Sequence, residues 1–306
     1  MNYKGKTLAV ITGPTASGKS ALAVEIAQRL GTEIISADSR QVYKGIPIVT
    51  AMPTAEERAA VRHHLIDMLP LEAYYSASSF ESDALRVADT LWQHSDWAVV
   101  CGGSMMYVDA LCHGLDELPT VPAELRERLM NEHAERGDAW LLQRLAELDP
   151  VYRSEVDERN IKRVFHGVEL SLAAGRPYSE LRTGQRTQRP FRIVKICLDG
   201  PREVLFSRIN ERVVRMMADG LEEEARSVEH LRYLNSLNTV GLKEMFAYFD
   251  GVMTREEAVA RIQKNTRVYA KKQLTWYRRD TSAIWLDITM PDLVGRALRE
   301  ITGRAE

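Results

Sequence analysis

Cysteine is scarce in this chain: Cys101, Cys112 and Cys197 are the only three in 306 residues, far apart and without a Cys-x-x-Cys. That excludes a disulfide framework and a cysteine-based zinc site, and it suits a reducing compartment, so a cytoplasmic protein is expected. Long apolar runs are missing as well. None approaches the ~18 residues of a membrane span, and the N-terminus carries only a Lys-flanked strand, so no membrane partner is expected. Net charge is almost absent at −2, and neither repeats nor low-complexity tracts occur. What remains is a 45% hydrophobic composition, ample for a core, over a length that suggests two domains or one with a large insertion.

Charge is missing on average but not locally. Residues 254–279 hold eight basic side chains against Glu256 and Glu257, and residues 176–192 hold five arginines against Glu180. Local patches of this kind can bind nucleic acid even on a slightly acidic protein. Thr254 and Glu257 are spaced as a capping box that opens the last long helix. On a helical wheel Ala258, Ile262, Tyr269 and Trp276 fall within about 40°, and Arg261, Lys264, Arg267, Lys271 and Arg278 within a separate arc of about 120°. A solvated face is the plainer reading of such an arc, although solvated faces usually mix charge signs.

Short runs rich in Val and Ile at 8–11, 34–37, 97–101 and 193–198 alternate with helical stretches, the pattern of a parallel sheet with crossover helices. The segment 118–192 differs. It opens with Pro119 and Pro122, shows helical patterns at 123–136, 140–148 and 161–174, and contains no strand pattern. The expected architecture is therefore α/β, a P-loop NTPase-like parallel sheet flanked by helices. Its core spans 1–117 and 193–306, and a helical insertion spans 118–192.

The stretch Gly13-Pro14-Thr15-Ala16-Ser17-Gly18-Lys19-Ser20 stands between the first strand and a helical pattern. There, inward-turned amides, the Lys19 charge and a helix N-terminus would cradle a phosphate, with the Ser20 hydroxyl as a ligand for Mg2+. Asp38 follows the second strand, and ligands of open parallel sheets bind beyond the strands' carboxyl ends. It is a candidate base, and equally a candidate for an Asx turn or helix N-cap. The third strand runs into Gly102-Gly103-Ser104 where many NTP-hydrolysing enzymes place a magnesium-holding aspartate. This tilts toward a backbone-lined passage open to something bulky. His63 and His64 are adjacent, so on a strand they point to opposite faces and suit structural hydrogen bonds better than shared metal ligation. A small-molecule or nucleotide kinase and an RNA-stimulated NTPase share the phosphate loop and stand as alternatives.

Together these segments resemble the tRNA dimethylallyltransferases. The resemblance rests on residues 13–20, Ile34 to Gly45, His63 to Asp67, Gly102 to Tyr107, Gly220 to Glu224 and Thr266 to Arg278, and it covers roughly 7–285. It implies transfer of a dimethylallyl group from dimethylallyl diphosphate to N6 of the adenosine 3′ of the anticodon, by a monomer that grips the anticodon stem-loop of tRNA. It implies that Gly13 to Ser20 hold the diphosphate, that Asp38 is the base and that Arg212 contacts the diphosphate beside Lys19. Asp38, Ser39, Arg40, Gln41, Ser104, Arg126 and the run Lys162-Arg163-Val164-Phe165-His166 would touch tRNA, joined by Lys264, Arg267, Lys271 and Arg278 of the basic arc. His166 stands where the family usually has arginine, and Ser104 where it usually has threonine. The zinc finger of some eukaryotic relatives has no counterpart here.

Overall fold

In the computed structural model, which describes residues 3–116, 118–184 and 186–303, the chain forms two compact units, 1–113 with 188–306 and 114–187. The first begins with β1 (Thr7–Thr12), α1 (Lys19–Leu30), β2 (Ile34–Ser36), α2 (Ala55–Ala60), β3 (His63–His64), α3 (Ala77–Leu91), β4 (Trp97–Cys101) and α4 (Met105–His113). The second unit follows with α5 (Ala123–Leu148), α6 (Pro150–Glu155), α7 (Ile161–Ala174) and α8 (Tyr178–Leu181). The chain then returns to the first unit through β5 (Arg192–Asp199), α9 (Arg202–Ala218), α10 (Leu221–Ser227), α11 (Leu242–Phe249), α12 (Arg255–Tyr277), β6 (Ile284–Asp287) and α13 (Leu293–Thr302).

The strands lie in the order β3-β2-β4-β1-β5-β6, and every pairing is parallel. A parallel sheet is covered on both faces, so its inner strands need apolar residues at consecutive positions. β1 shows this directly: Leu8 and Val10 join one buried cluster with Phe80 of α3 and Val108 of α4, while Ala9 and Ile11 join another with Ile26 of α1 and Ile301 of α13. The four apolar runs of the sequence are the four inner strands. The edges escaped that reading because β3 is only two histidines and β6 four residues ending in Asp287, too short to show an apolar run.

The 114–187 unit has its own core, with Leu129, Leu141 and Leu145 of α5 against Val164 and Val168 of α7. Gly137 interrupts α5 with φ 76 and ψ −178, separating the two helical patterns that the sequence shows. Asp149, fully buried, caps α6 through the Tyr152 amide (2.9 Å) and accepts from the Ser179 amide and hydroxyl at 2.6 and 2.7 Å. This unit ends before 192. Phe191 belongs to the sheet's core, Arg192 opens β5, and Arg189 is tied to the Leu111 carbonyl of α4 at 3.0 Å. Among the described residues no helix is long and apolar enough to cross a membrane.

Candidate active site

The carboxyl ends of β1, β2 and β4 open into one cavity of about 360 Å³ within the first unit. Gly13, Pro14, Ala16, Ser17 and Gly18 form the turn after β1, and Thr15, Lys19 and Ser20 line the cavity wall. Gly18 is the N-cap of α1, no side chain caps it, and the first turn carries no acidic group. The amides at this helix start are thus left for an anion. Lys19 Nζ donates to the Pro14 carbonyl at 3.3 Å, and burial, reinforced by the Arg212 guanidinium, lowers its pKa. Arg212 reaches across from α9 to donate to Thr15 Oγ1 at 3.1 Å; burial lowers its pKa too, against the pull of Asp38. Two cations desolvated in one cavity are an arrangement that a bound anion relieves.

After β2, Asp38 lines the same cavity while its Oδ1 accepts from the amides of Arg40 (2.9 Å) and Gln41 (3.3 Å), so the Asx turn is present as well. Ser39 also lines the wall. Arg40 and Gln41 do more for the protein than the sequence suggests. Arg40 donates to the carbonyls of Asn235 (2.8 Å), Ser236 (3.2 Å) and Asn238 (3.4 Å), and Gln41 Nε2 to those of Thr50 (3.2 Å) and Ala51 (3.1 Å). They brace two loops that border the cavity. Glu224 secures one of these from α10, accepting from the amides of Ile48 (2.7 Å) and Val49 (2.8 Å). The loops meet where a Cβ on Gly241 would stand 2.4 Å from Val49 Cγ2.

Gly102 and Gly103 after β4 line the cavity, and both are also closely approached by the protein's own chain. A Cβ on Gly102 would stand 2.1 Å from the Ala37 carbonyl oxygen, and one on Gly103 would stand 2.6 Å from Gln273 Nε2. Their bare backbones make room first for the protein's own chain. Ser104 follows them on the cavity wall, its amide donating to the Ala37 carbonyl at 3.2 Å. Opposite, α12 contributes Thr266, Tyr269 and Gln273. Tyr269 is partly exposed, yet desolvation around its phenol, with the Asp38 charge adding, pushes it to about 12, so it stays protonated at neutral pH. The wheel missed Thr266 and Gln273 because both are polar; the missed signal is a glutamine one turn past a tyrosine already on the packed face.

The basic arc of α12 is less free than its sequence implies. Arg267 donates to Asn210 Oδ1 at 2.5 Å, and Arg278 to Asp199 Oδ2 at 3.1 Å. Lys271 lies 5.7 Å from the Phe206 ring centre but is exposed, as is Lys264. In the arginine-rich 176–192 segment three of the five arginines have partners within the protein, Arg182 with Glu155 (3.1 Å), Arg189 with Glu81 (2.5 Å) and Arg192 with the Ile301 carbonyl (2.8 Å), while Arg176 and Arg186 are exposed. Within the 114–187 unit Arg126 makes a bidentate pair with Glu169 at 2.8 and 2.9 Å, and His166 Nδ1 lies 3.0 Å from the same carboxylate. Lys162 and Arg163 are exposed and Phe165 is partly buried. Val164 is corrected outright: it is 0% exposed in that unit's core and unavailable to RNA. His63 Nδ1 bonds the Val61 carbonyl (2.9 Å) and His64 Nε2 bonds Glu33 (2.5 Å), separate structural roles. Among the described residues no three His, Cys, Asp or Glu side chains cluster to hold a metal.

The sequence and the fold have close parallels. Two bacterial relatives cover most of the chain and of their own length: a Porphyromonas gingivalis protein named tRNA dimethylallyltransferase 2, 50% identical over 93% of this chain and 95% of its own, and a Parabacteroides distasonis protein of the same name, 48% identical over 91% and 93%. The crystal structure of the Bacillus halodurans tRNA isopentenylpyrophosphate transferase superposes with a TM-score of 0.71 at 33% identity, over 98% of this chain and 95% of that one. A eukaryotic dimethylallyltransferase captured acting on tRNA shares the fold, with a TM-score of 0.85 at 23% identity over 98% of this chain and 80% of that one. The sequence pattern of the IPP transferases matches residues 41–280, and the chain belongs to that family.

Proposed function

We propose that this protein transfers the dimethylallyl group of dimethylallyl diphosphate to N6 of the adenosine 3′ of the anticodon in tRNA. The observation that carries the reading is the sharing of one cavity by the phosphate-loop residues Lys19 and Ser20 and the acceptor-side residues Asp38 and Ser104. In the transfer a bond forms between N6 and the donor's C1 while the C1–O bond breaks, and its electron pair leaves with the diphosphate. An adenine amine is a weak nucleophile because its lone pair is delocalised, so loss of a proton to Asp38 as the bond forms raises its reactivity. The amides of the loop, Lys19 and Arg212 stabilise the charge that grows on the leaving group.

Mg2+ suits the oxygen donors on offer. The Ser20 hydroxyl lies at the start of α1 on the cavity wall beside Lys19, and magnesium is commonly held by one or two protein oxygens with the substrate's phosphates. Ser20 would hold it, and when bound it would supply further positive charge to the diphosphate. The acceptor base must leave its stack in the anticodon loop, a cost of a few kcal/mol that contacts to the RNA backbone offset.

The test is incubation with dimethylallyl diphosphate, Mg2+ and unmodified tRNA, followed by mass analysis of the nucleosides. A product heavier by one dimethylallyl group at that adenosine is the expected result. ATP-dependent phosphorylation of a small molecule, or RNA-stimulated ATP hydrolysis, with no prenylated nucleoside would overturn the reading.

A further inference from the structure

Gln273 is a polar residue on the buried side of α12, 2% exposed, where a leucine would satisfy packing alone. Burying a carboxamide is costly unless its groups are bonded. Both are. Oε1 accepts from the Thr15 amide at 2.9 Å, and Nε2 donates to the Gly103 carbonyl at 2.8 Å. Thr15 lies in the phosphate loop after β1, and Gly103 immediately precedes Ser104 after β4. One side chain therefore spans the loop that faces the donor and the loop that faces the acceptor.

The surroundings are fitted to this bridge. The missing Cβ of Gly103 leaves the space that Nε2 occupies, and Thr15 is gripped a second time through its hydroxyl by Arg212. Both loops leave adjacent parallel strands, with Ile11 opposite Cys101, and the Gly102 amide on the Ile11 carbonyl (3.2 Å) and Thr12 Oγ1 on the Gly102 carbonyl (2.8 Å) hold them together as far as Gly102; the next step, from Gly103 to the phosphate loop, is made by a side chain. Gln273 fixes their separation there.

We propose that Gln273 is a positioning residue for the transfer: acting through Thr15 and Gly103, it sets the distance between the diphosphate cradle and the Ser104 side of the site, and so aligns donor carbon and acceptor amine. The inference rests on the function proposed above. Alignment matters steeply, since a displacement of about 1 Å can cost on the order of 10²-fold in rate without loss of binding. Although Gln273 stands on the cavity wall, both of its polar groups are taken up by the two loops, so its effect belongs in the chemical step.

Gln273→Met keeps length and apolar packing while removing both hydrogen bonds. The expected result is a single-turnover transfer constant lowered about 10- to 100-fold, with affinities for a thiolodiphosphate donor analogue and for tRNA within about 3-fold of wild type. Gly103→Ala attacks the same contact from the other loop without altering α12, and keeps the test usable if the first variant misfolds. The double variant should be no slower than the worse single one, because both break one contact; independent roles would multiply. A wild-type rate in either folded variant overturns the proposal. So does a loss of donor affinity as large as the loss of rate, which would make Gln273 a mere prop for the binding loop. If the wild-type protein transfers nothing to tRNA, the functional reading falls and this inference with it; an active wild type beside an unaffected Gln273→Met overturns the inference alone.

Discussion

Asp38 answers two descriptions that the sequence presents as alternatives. Its Oδ1 closes the turn by accepting two backbone amides, and its carboxylate faces the cavity that holds Lys19 and Ser104. Asn at 38 can still accept at the turn but cannot take a proton, so Asp38→Asn should lower single-turnover transfer on the order of 10²–10⁴-fold while melting temperature and tRNA affinity stay near wild type. A near-normal rate would remove Asp38 from the chemistry. Lys19 gives a pH prediction of definite sign. Burial and Arg212 lower its pKa, so as pH rises its ammonium is lost earlier than an ordinary lysine's, about 10.4, and affinity for a diphosphate should fall with it. Donor-analogue binding measured from about pH 7 to 10 should weaken on the alkaline side in the wild type and stay flat in Lys19→Arg, whose guanidinium keeps its charge over that range. A parallel alkaline decline in both would assign the effect to another group.

At the scale of the element, α12 shows what helical periodicity can and cannot tell. The capping box is present, with Thr254 Oγ1 accepting from the Glu257 amide and Glu257 accepting from the Thr254 amide. The division into a packed and a basic side also holds, but the centre of the packed side is rotated, because Ala270, Gln273 and Tyr277 are buried while Tyr269 is 39% exposed. A hydropathy wheel weighs side chains by polarity and cannot see that a glutamine has both partners waiting. Nor can it see that Asn210 and Asp199 claim two of the cations. The salt dependence of RNA binding should follow the structure rather than the wheel: Lys264→Ala and Lys271→Ala should each flatten the log–log slope by about 0.7–0.9, and Arg278→Ala by clearly less. Titrating tRNA across a salt series separates the cases. Slopes unchanged in both lysine variants would make this face merely solvated.

For the whole molecule, the parts legible in sequence are those whose physics is local or periodic. Inner strands show as apolar runs because both their faces are covered, the phosphate loop shows as spaced glycines before a helix, and the helical insertion shows as a stretch without strand pattern. What stayed hidden is long-range pairing. Residues 38–41 read as a string of RNA contacts, yet Arg40 and Gln41 reach carbonyls of segments that only the fold brings near, and Val164 sits inside a motif but inside a core as well. Lys195 is the sharpest such case: a lysine in the middle of β5, 4% exposed, whose ammonium pairs with Asp280 just beyond α12. It ties the end of α12 to the sheet and yields a stability prediction. Burial alone would raise the Asp280 pKa, but Lys195 and Ser282 hold it well below the usual carboxylate range. His113 Nε2, 3.7 Å from the same carboxylate, adds to the attraction when protonated. A depressed folded-state pKa means the pair contributes fully above the unfolded value of about 3.9 and is lost as pH falls from there toward the folded one. Asp280→Asn, which strands a buried ammonium, should cost about 3–5 kcal/mol at neutral pH, whereas an apolar Lys195→Met/Asp280→Leu pair should cost far less. Denaturant unfolding at pH 7 and near pH 3 then decides: the deficit of Asp280→Asn relative to wild type should shrink at the lower pH, because there the wild type is losing the pair too. A deficit that stays constant would mean that the contact stabilises by packing and not by charge.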